Sequence, residues 1–238
     1  TSRYTLETAK NIETSFGVPT VAHLTCVSST KETVRKQIKE LIDAKIENVM
    51  ALRGDIPDEM LKTDRSGWDF CYATDLIREI KASGGDFSIG GACYPEVHPE
   101  SPDQKEDILH LKEKADAGCD FLTTQMFFDN NLFYSFMYKI REAGITVPVI
   151  AGIMPITSAN QVERAVKLSG SFMPHRFKSL VDRFGSDPLA MKQAGIAYAT
   201  DQIIDLFANG INHVHVYSMN KPDVAEMIQD NLSAIIGK

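Results

Sequence analysis

The apolar run Val49-Met50-Ala51-Leu52 stops at Arg53-Gly54-Asp55. A run of that length fits a buried strand. A cation, a flexible glycine and a carboxylate therefore sit together at the strand's C-terminal end, where fixed charge can act on charge that develops in a bound molecule. The same grammar recurs along the chain, an apolar run giving way to polar residues and then to a helix. VAHLTC carries His23, and SIGGACYPEVHPE carries Tyr94, His98 and Glu100. FLTTQMFFD carries Gln125, and HVHVYSMNK ends in Tyr217, Asn220 and Lys221. Parallel strands with their chemistry at one end belong to α/β enzymes, most often to barrels whose strand ends form the active site.

Each of these groups also has a structural explanation when taken alone. His23 reads equally as a hydrogen-bonded core histidine, Arg53 and Asp55 as an ion pair in a loop, and Gln125 between threonines and apolar residues as part of a structural layer. The prolines of YPEVHPE shape a rigid turn. His213 and His215 share one strand face, but no third ligand stands at a convincing spacing, so no metal is expected. Polar groups on buried strands need partners, and convergence of five or six on one mouth is much harder to explain by chance. On the helix that follows YPEVHPE, Asp107, His110 and Lys114 fall at i, i+3 and i+7 and share a face beside apolar Ile108, Leu111 and Ala115. That stripe suits a ribose or a pyrophosphate; an ordinary solvated face is the alternative.

The elements that must position these residues follow from periodicity and punctuation. Leu6, Ala9, Ile12 and Phe16 predict an opening helix stopped by Gly17. Strands are predicted over 20–26, 48–52, 87–94, 121–127, 147–153 and 214–217. Helices are predicted after each, including one over 72–82, one over 103–117, one over 131–143, several between 158 and 210, and a last one over 223–236. Residues 54–68 form a predicted loop of functional length. Six strands each followed by a helix allow a doubly wound sheet, but the GxGxxG turn usual there is missing. The alternative, which also explains the orphan first helix, is a barrel whose first two strands are absent from this numbering.

The chain has 238 residues and is 43% hydrophobic, enough for one core in a single catalytic domain over 1–238. Its net charge of −7 argues against a general nucleic-acid surface. No apolar stretch approaches the ~20 residues of a membrane helix, and the polar N-terminus does not read as a signal peptide. Cys26, Cys71, Cys93 and Cys119 show no CxxC spacing, which suggests reduced thiols in a cytoplasmic protein.

Taken in order, the motifs resemble the methylenetetrahydrofolate reductase family, the flavin-dependent catalytic barrel of the bacterial type. The resemblance rests on His23-Leu24-Thr25-Cys26, Leu52-Arg53-Gly54-Asp55 and Tyr94-Pro95-Glu96-Val97-His98-Pro99-Glu100. It continues through Lys114, Ala117-Gly118, Thr124-Gln125, Phe127-Phe128-Asp129, Gly152-Ile153-Met154-Pro155-Ile156 and Tyr217-Ser218-Met219-Asn220-Lys221. It implies a (β/α)8 TIM barrel with FAD across its C-terminal mouth. His23, Arg53, Gly54, Asp55, Tyr72, Ala73, Tyr94 and His98 would line the flavin site, and Asp107, His110 and Lys114 would hold its ribityl, phosphate or adenosine portion. Gln125, Gln161, Tyr217 and Lys221 would contact folate or the nicotinamide donor, with Asp55 and Gln125 in catalytic roles. The implied reaction is ping-pong reduction of 5,10-methylenetetrahydrofolate to 5-methyltetrahydrofolate by NADH or NADPH.

Three departures qualify the resemblance. The family's general acid is a glutamate on the first barrel strand, which does not occur in this sequence; two missing βα units correspond to about 50–60 upstream residues. Lys221 stands where members often carry arginine, which keeps the charge and loses the bidentate geometry. Glu113 stands where some relatives carry a basic residue beside the cofactor phosphates, so weaker FAD binding is expected. Two other readings follow: an FAD-binding subunit of the same family that needs a partner protein, and a flavin-free barrel enzyme for a phosphorylated metabolite. A homo-oligomer is expected, as for many such barrels.

Overall fold

Among the described residues, helix α1 (Ser2–Phe16) precedes six strands that alternate with helices: β1 (Val21–Thr25), α2 (Lys31–Asp43), β2 (Asn48–Leu52), α3 (Ala73–Ala82), β3 (Ser88–Cys93), α4 (Gln104–Asp116) and β4 (Phe121–Thr124). The alternation continues through α5 (Asn130–Glu142), β5 (Val149–Ile153), α6 (Ala159–Ser169), α7 (His175–Phe184), α8 (Pro188–Ala208), β6 (Val214–Val216) and α9 (Pro222–Ile236). This computed structural model describes residues 2–56 and 67–237. Most of the predicted loop 54–68 lies outside the described residues.

Local chemistry explains the helix boundaries. Thr30 caps α2 by accepting from Thr33 N at 3.2 Å, and Val34, Ile38 and Leu41 bury one face at helical spacing. Asp129 and Asp187 cap α5 and α8 in the same way, and Pro188 occupies the first helical turn of α8, where its missing N–H costs nothing.

The strands form one sheet in the order β1-β2-β3-β4-β5-β6. The pairs β1·β2, β2·β3 and β5·β6 are parallel, with Val21 opposite Asn48, Asn48 opposite Ser88 and Ala151 opposite Val214. A doubly wound sheet reverses its strand order at a switch point; a sheet whose spatial order equals its chain order is wound in one direction only, as in a barrel. The fold is therefore α/β of the barrel type, and the doubly wound alternative is set aside.

Packing divides the chain into two compact units. One comprises Thr1–Ala92 with His110–Leu122, the other Cys93–Leu109 with Thr123–Lys238. The first unit packs Val34, Ile38 and Leu41 of α2 and Leu76, Ile77 and Ile80 of α3, together with Val49 and Ala51 of β2, all fully or nearly fully buried. In the second, Phe128 stacks on Phe177 at 5.0 Å between ring centroids, and Phe177 meets Tyr198 edge-on at 4.7 Å. Met126, Met154, Ile156 and Met191 complete that cluster.

Strand β4 is shorter than its sequence suggests. The apolar residues 126–128 continue the pattern but leave the ladder, because side chains from α8 and the α6–α7 connection take their carbonyls. Ser171 Oγ donates to Met126 O at 3.0 Å, Gln202 Nε2 to Phe127 O at 3.3 Å and Tyr198 OH to Phe128 O at 2.6 Å. Buried carbonyls need a donor, and here it is not a neighbouring strand.

Candidate functional site

In the first unit the site residues gather where β1 and β2 end. The main chain of Arg53 prolongs the parallel ladder, its carbonyl accepting from Cys26 N at 3.2 Å and Val27 N at 2.7 Å. Gly54 then turns with φ +88°, and a Cβ there would come within 2.9 Å of Val27 Cγ1. The turn is thus closed to other residues by conformation and by space. It leaves Arg53 half-buried and Asp55 exposed.

His23 departs from the expectation of a polar group on a buried strand. Strand β1 buries only Ala22 and Leu24 and exposes Val21, His23 and Thr25. The imidazole is nonetheless crowded enough by protein atoms that partial desolvation lowers its pKa below the ordinary histidine value, favouring the neutral ring.

Tyr72 and Ala73 open helix α3, with the Tyr72 ring 64% exposed. The Asp75 carboxylate holds this entry by accepting from Cys71 N at 3.1 Å and Tyr72 N at 3.0 Å. Cys26 Sγ lies 3.8 Å from Tyr72 O, tying the helix start to the end of β1. On α4, His110 is exposed, whereas Lys114 is half-buried with Nζ donating to Ala92 O at 2.5 Å. Part of the Lys114 donor capacity is therefore spent on strand β3.

In the second unit the Tyr94 and His98 rings meet edge to face at 4.6 Å. His98 Nδ1 accepts from Glu100 N at 3.0 Å, so the neutral ring carries its proton on Nε2. Asp107 shapes this turn, accepting from His98 N at 3.2 Å and Ser101 Oγ at 3.1 Å. The stripe Asp107–His110–Lys114 thus exists, but its first and last members also anchor main chain and side chains of the protein.

Gln125 follows β4 directly. Its N–H extends the ladder to Cys93 O at 2.7 Å, and its side-chain oxygen accepts from Met126 N at 2.9 Å. Oxygen alone can accept from that N–H, so the amide orientation is fixed and the nitrogen is the end left to donate. Tyr217 OH donates to Thr124 O at 2.8 Å. Burial pushes the phenol up to about 12, so it stays protonated at any working pH. His213 and His215 are both exposed, and among the described residues no three His, Cys, Asp or Glu side chains could hold a metal ion.

Two residues go beyond the sequence reading. Thr157, 7% exposed, accepts from Lys221 Nζ at 2.7 Å and donates to Gln161 Oε1 at 3.1 Å. The available signal was a hydroxyl closing the apolar run Gly152–Ile156. Glu96, in the YPEVHPE motif, accepts from Phe172 N at 2.7 Å through one oxygen, while the other is buried without a hydrogen-bond partner among the described residues. Burial, opposed by the Phe172 N–H and helped by nearby Asp129, raises its pKa above the usual carboxylate range. A carboxyl whose pKa is higher folded than unfolded stabilises the fold below its unfolded pKa, and that contribution is lost as pH rises through the folded value. The melting temperature of wild type relative to Glu96→Gln is therefore expected to fall as pH is raised from about 4 towards neutrality. A pH-independent difference between the two proteins would refute this.

The donor set is of the kind that holds a phosphate-bearing ligand. Arg53, Lys114 and His110 are of the type that holds phosphates, Tyr72 offers an exposed aromatic face, and the Gly54 turn lets main chain approach a ligand closely. Among the described residues no helix is long and apolar enough to cross a membrane.

Comparison with known proteins agrees with these motifs. The family model for methylenetetrahydrofolate reductase matches residues 1–233. Methylenetetrahydrofolate reductase 1 of Schizosaccharomyces pombe is 36% identical over 94% of this chain, which spans 37% of that relative's length. The 5,10-methylenetetrahydrofolate reductase of Pectobacterium carotovorum is 32% identical over 92% of this chain and 71% of its own. Among solved structures, a Clostridium thermocellum protein described as binding two copies of 5-methyl-5,6,7,8-tetrahydrofolic acid superposes with a TM-score of 0.63. That match covers 94% of this chain and 77% of the other at 14% identity, a likeness of fold. With the family model covering nearly its whole length, the chain belongs to the methylenetetrahydrofolate reductase family.

Proposed function

We propose that residues 1–238 act as one catalytic barrel domain that reduces 5,10-methylenetetrahydrofolate to 5-methyltetrahydrofolate, with FAD as cofactor and NADH or NADPH as donor. The observation that carries this reading is the family match over residues 1–233. Support comes from the strand-end set: Asp55 beyond β2, Tyr94 and His98 beyond β3, Gln125 beyond β4, and Tyr217 and Lys221 beyond β6. The Clostridium neighbour's folate ligand is a further reason to place a folate on this fold.

FAD, when bound, supplies the hydride relay between the two substrates. The chain's own residues bind, orient and stabilise charge. Asp55 stabilises the cation formed when the folate's imidazolidine ring opens. The Gln125 amide serves two substrates that occupy one site in turn. Arg53, His110 and Lys114 hold the cofactor's phosphates, and Gln161 and Lys221 bind the folate. A soluble cytoplasmic homo-oligomer without nucleic-acid or membrane partners completes the proposal.

The test is spectroscopic. Purified protein supplied with FAD is expected to show flavin absorbance that bleaches with NADH or NADPH and returns with methylenetetrahydrofolate. Protein that takes up no FAD overturns the reading. Brisk turnover by the chain alone removes the subunit alternative. Replacement Gln125→Ala deletes one hydrogen bond to each substrate and is expected to raise both Michaelis constants about five- to tenfold; unchanged constants contradict the shared-amide role.

A further inference from the structure

Lysine can only donate, so the Thr157 hydroxyl must accept from Lys221 Nζ at 2.7 Å, and its one proton is then directed at Gln161 Oε1, 3.1 Å away. That oxygen also accepts from Thr157 N at 2.8 Å and Ser158 N at 3.2 Å, forming one half of the capping box of α6. With three donors on the oxygen, the orientation of the Gln161 amide is set by chemistry, and its nitrogen, carrying two N–H groups, plays no part in the cap. Lys221 spends one N–H on the hydroxyl and, among the described residues, keeps two. Thr157 is nearly fully buried, and Gln161 and Lys221 are half-buried.

From this relay we infer that Thr157 is a positioning residue for ligand binding: its hydroxyl locks Gln161 and Lys221 together as a purely donating pair matched to carboxylate or carbonyl oxygens. The inference rests on the folate reading above, in which both residues face that ligand. A lysine chain is flexible, and a buried hydroxyl that receives one of its three protons supplies the orientation that a planar guanidinium would have intrinsically.

The test is equilibrium binding of 5-methyltetrahydrofolate to the full chain by titration calorimetry, with FAD added, for wild type, T157V, T157S, K221M and the double variant T157V/K221M. Valine keeps the shape of threonine and loses the hydroxyl; serine keeps the hydroxyl. T157V is expected to weaken binding about tenfold, as for loss of a hydrogen bond to a charged group, and T157S about twofold or less. In the K221M background T157V is expected to add much less than tenfold, because the relay's first member is already gone. Unchanged affinity in T157V, an equal loss in T157S, or the same loss in both lysine and methionine backgrounds overturns the relay while leaving the folate reading intact. A wild-type chain that binds no folate overturns both. If T157V does not fold, T157A replaces it in the same cycle.

Discussion

Replacing Asp55 by asparagine is expected to slow the reoxidation of the reduced protein by methylenetetrahydrofolate by about 100- to 1000-fold, the usual consequence of removing one preorganised electrostatic group from a reacting centre. Reduction by the nicotinamide donor is expected to change only a few-fold, because the folate iminium cation that Asp55 faces does not form in that step. Asn has the size of Asp and keeps an acceptor oxygen, so what is removed is the charge. Asp55 is exposed and lies beyond the Gly54 turn, so folding stability is expected to stay within about 0.5 kcal/mol of wild type. Stopped-flow absorbance measures the two half-reactions separately. Equal slowing of both would mean that Asp55 acts on the cofactor or on general binding, and would remove its role at the folate cation. Asp55→Glu restores the charge one methylene further out and is expected to recover part of the folate step alone.

The ordering of the sheet was legible because most strands end in polar residues and several helices begin with a capping side chain. Apolar strands, the spacing of Val34, Ile38 and Leu41, and caps such as Asp129 and Asp187 are local signals, and the structure follows them to within a few residues. Long-range partners were not legible. The β4 segment 126–128 looks like strand because its residues are apolar, yet Ser171, Tyr198 and Gln202, 45 to 75 residues away, take its carbonyls. Asp107 and Lys114 advertise ligand chemistry by type and face, while their bonds to Ser101, His98 and Ala92 depend on where the preceding turn and strand arrive. His23 shows the reverse case: an imidazole in an apolar strand suggested burial, but β1 covers only one of its faces. Thr157 is the strongest example, since a hydroxyl between an isoleucine and a serine carries no mark of the lysine 64 residues later that donates to it.

Gly195→Ala is expected to destabilise the fold by about 3 kcal/mol, although alanine is the better helix former by about 1 kcal/mol. Gly195 is buried in the middle of α8, where the main chain of the β5–α6 loop packs directly onto the helix. A Cβ at this position would stand 1.7 Å from Ile156 O and 2.7 Å from Ile156 C. Those are backbone atoms, so no rotamer change relieves the clash; either α8 or the loop must move by more than an ångström. Ile156 adjoins Thr157, and the loop cannot move without disturbing the hydroxyl between Lys221 and Gln161. The expected result is a melting temperature lowered by about 6–12 °C, on the scale of 2–4 °C per kcal/mol for a domain of this size. The surviving folded protein is expected to bind the folate more weakly, with a shift in the same direction as T157V. A G195A variant that melts at or above the wild-type temperature would show that the helix gains its propensity at no packing cost, and that the close approach of α8 to Ile156 does not constrain this end of the site.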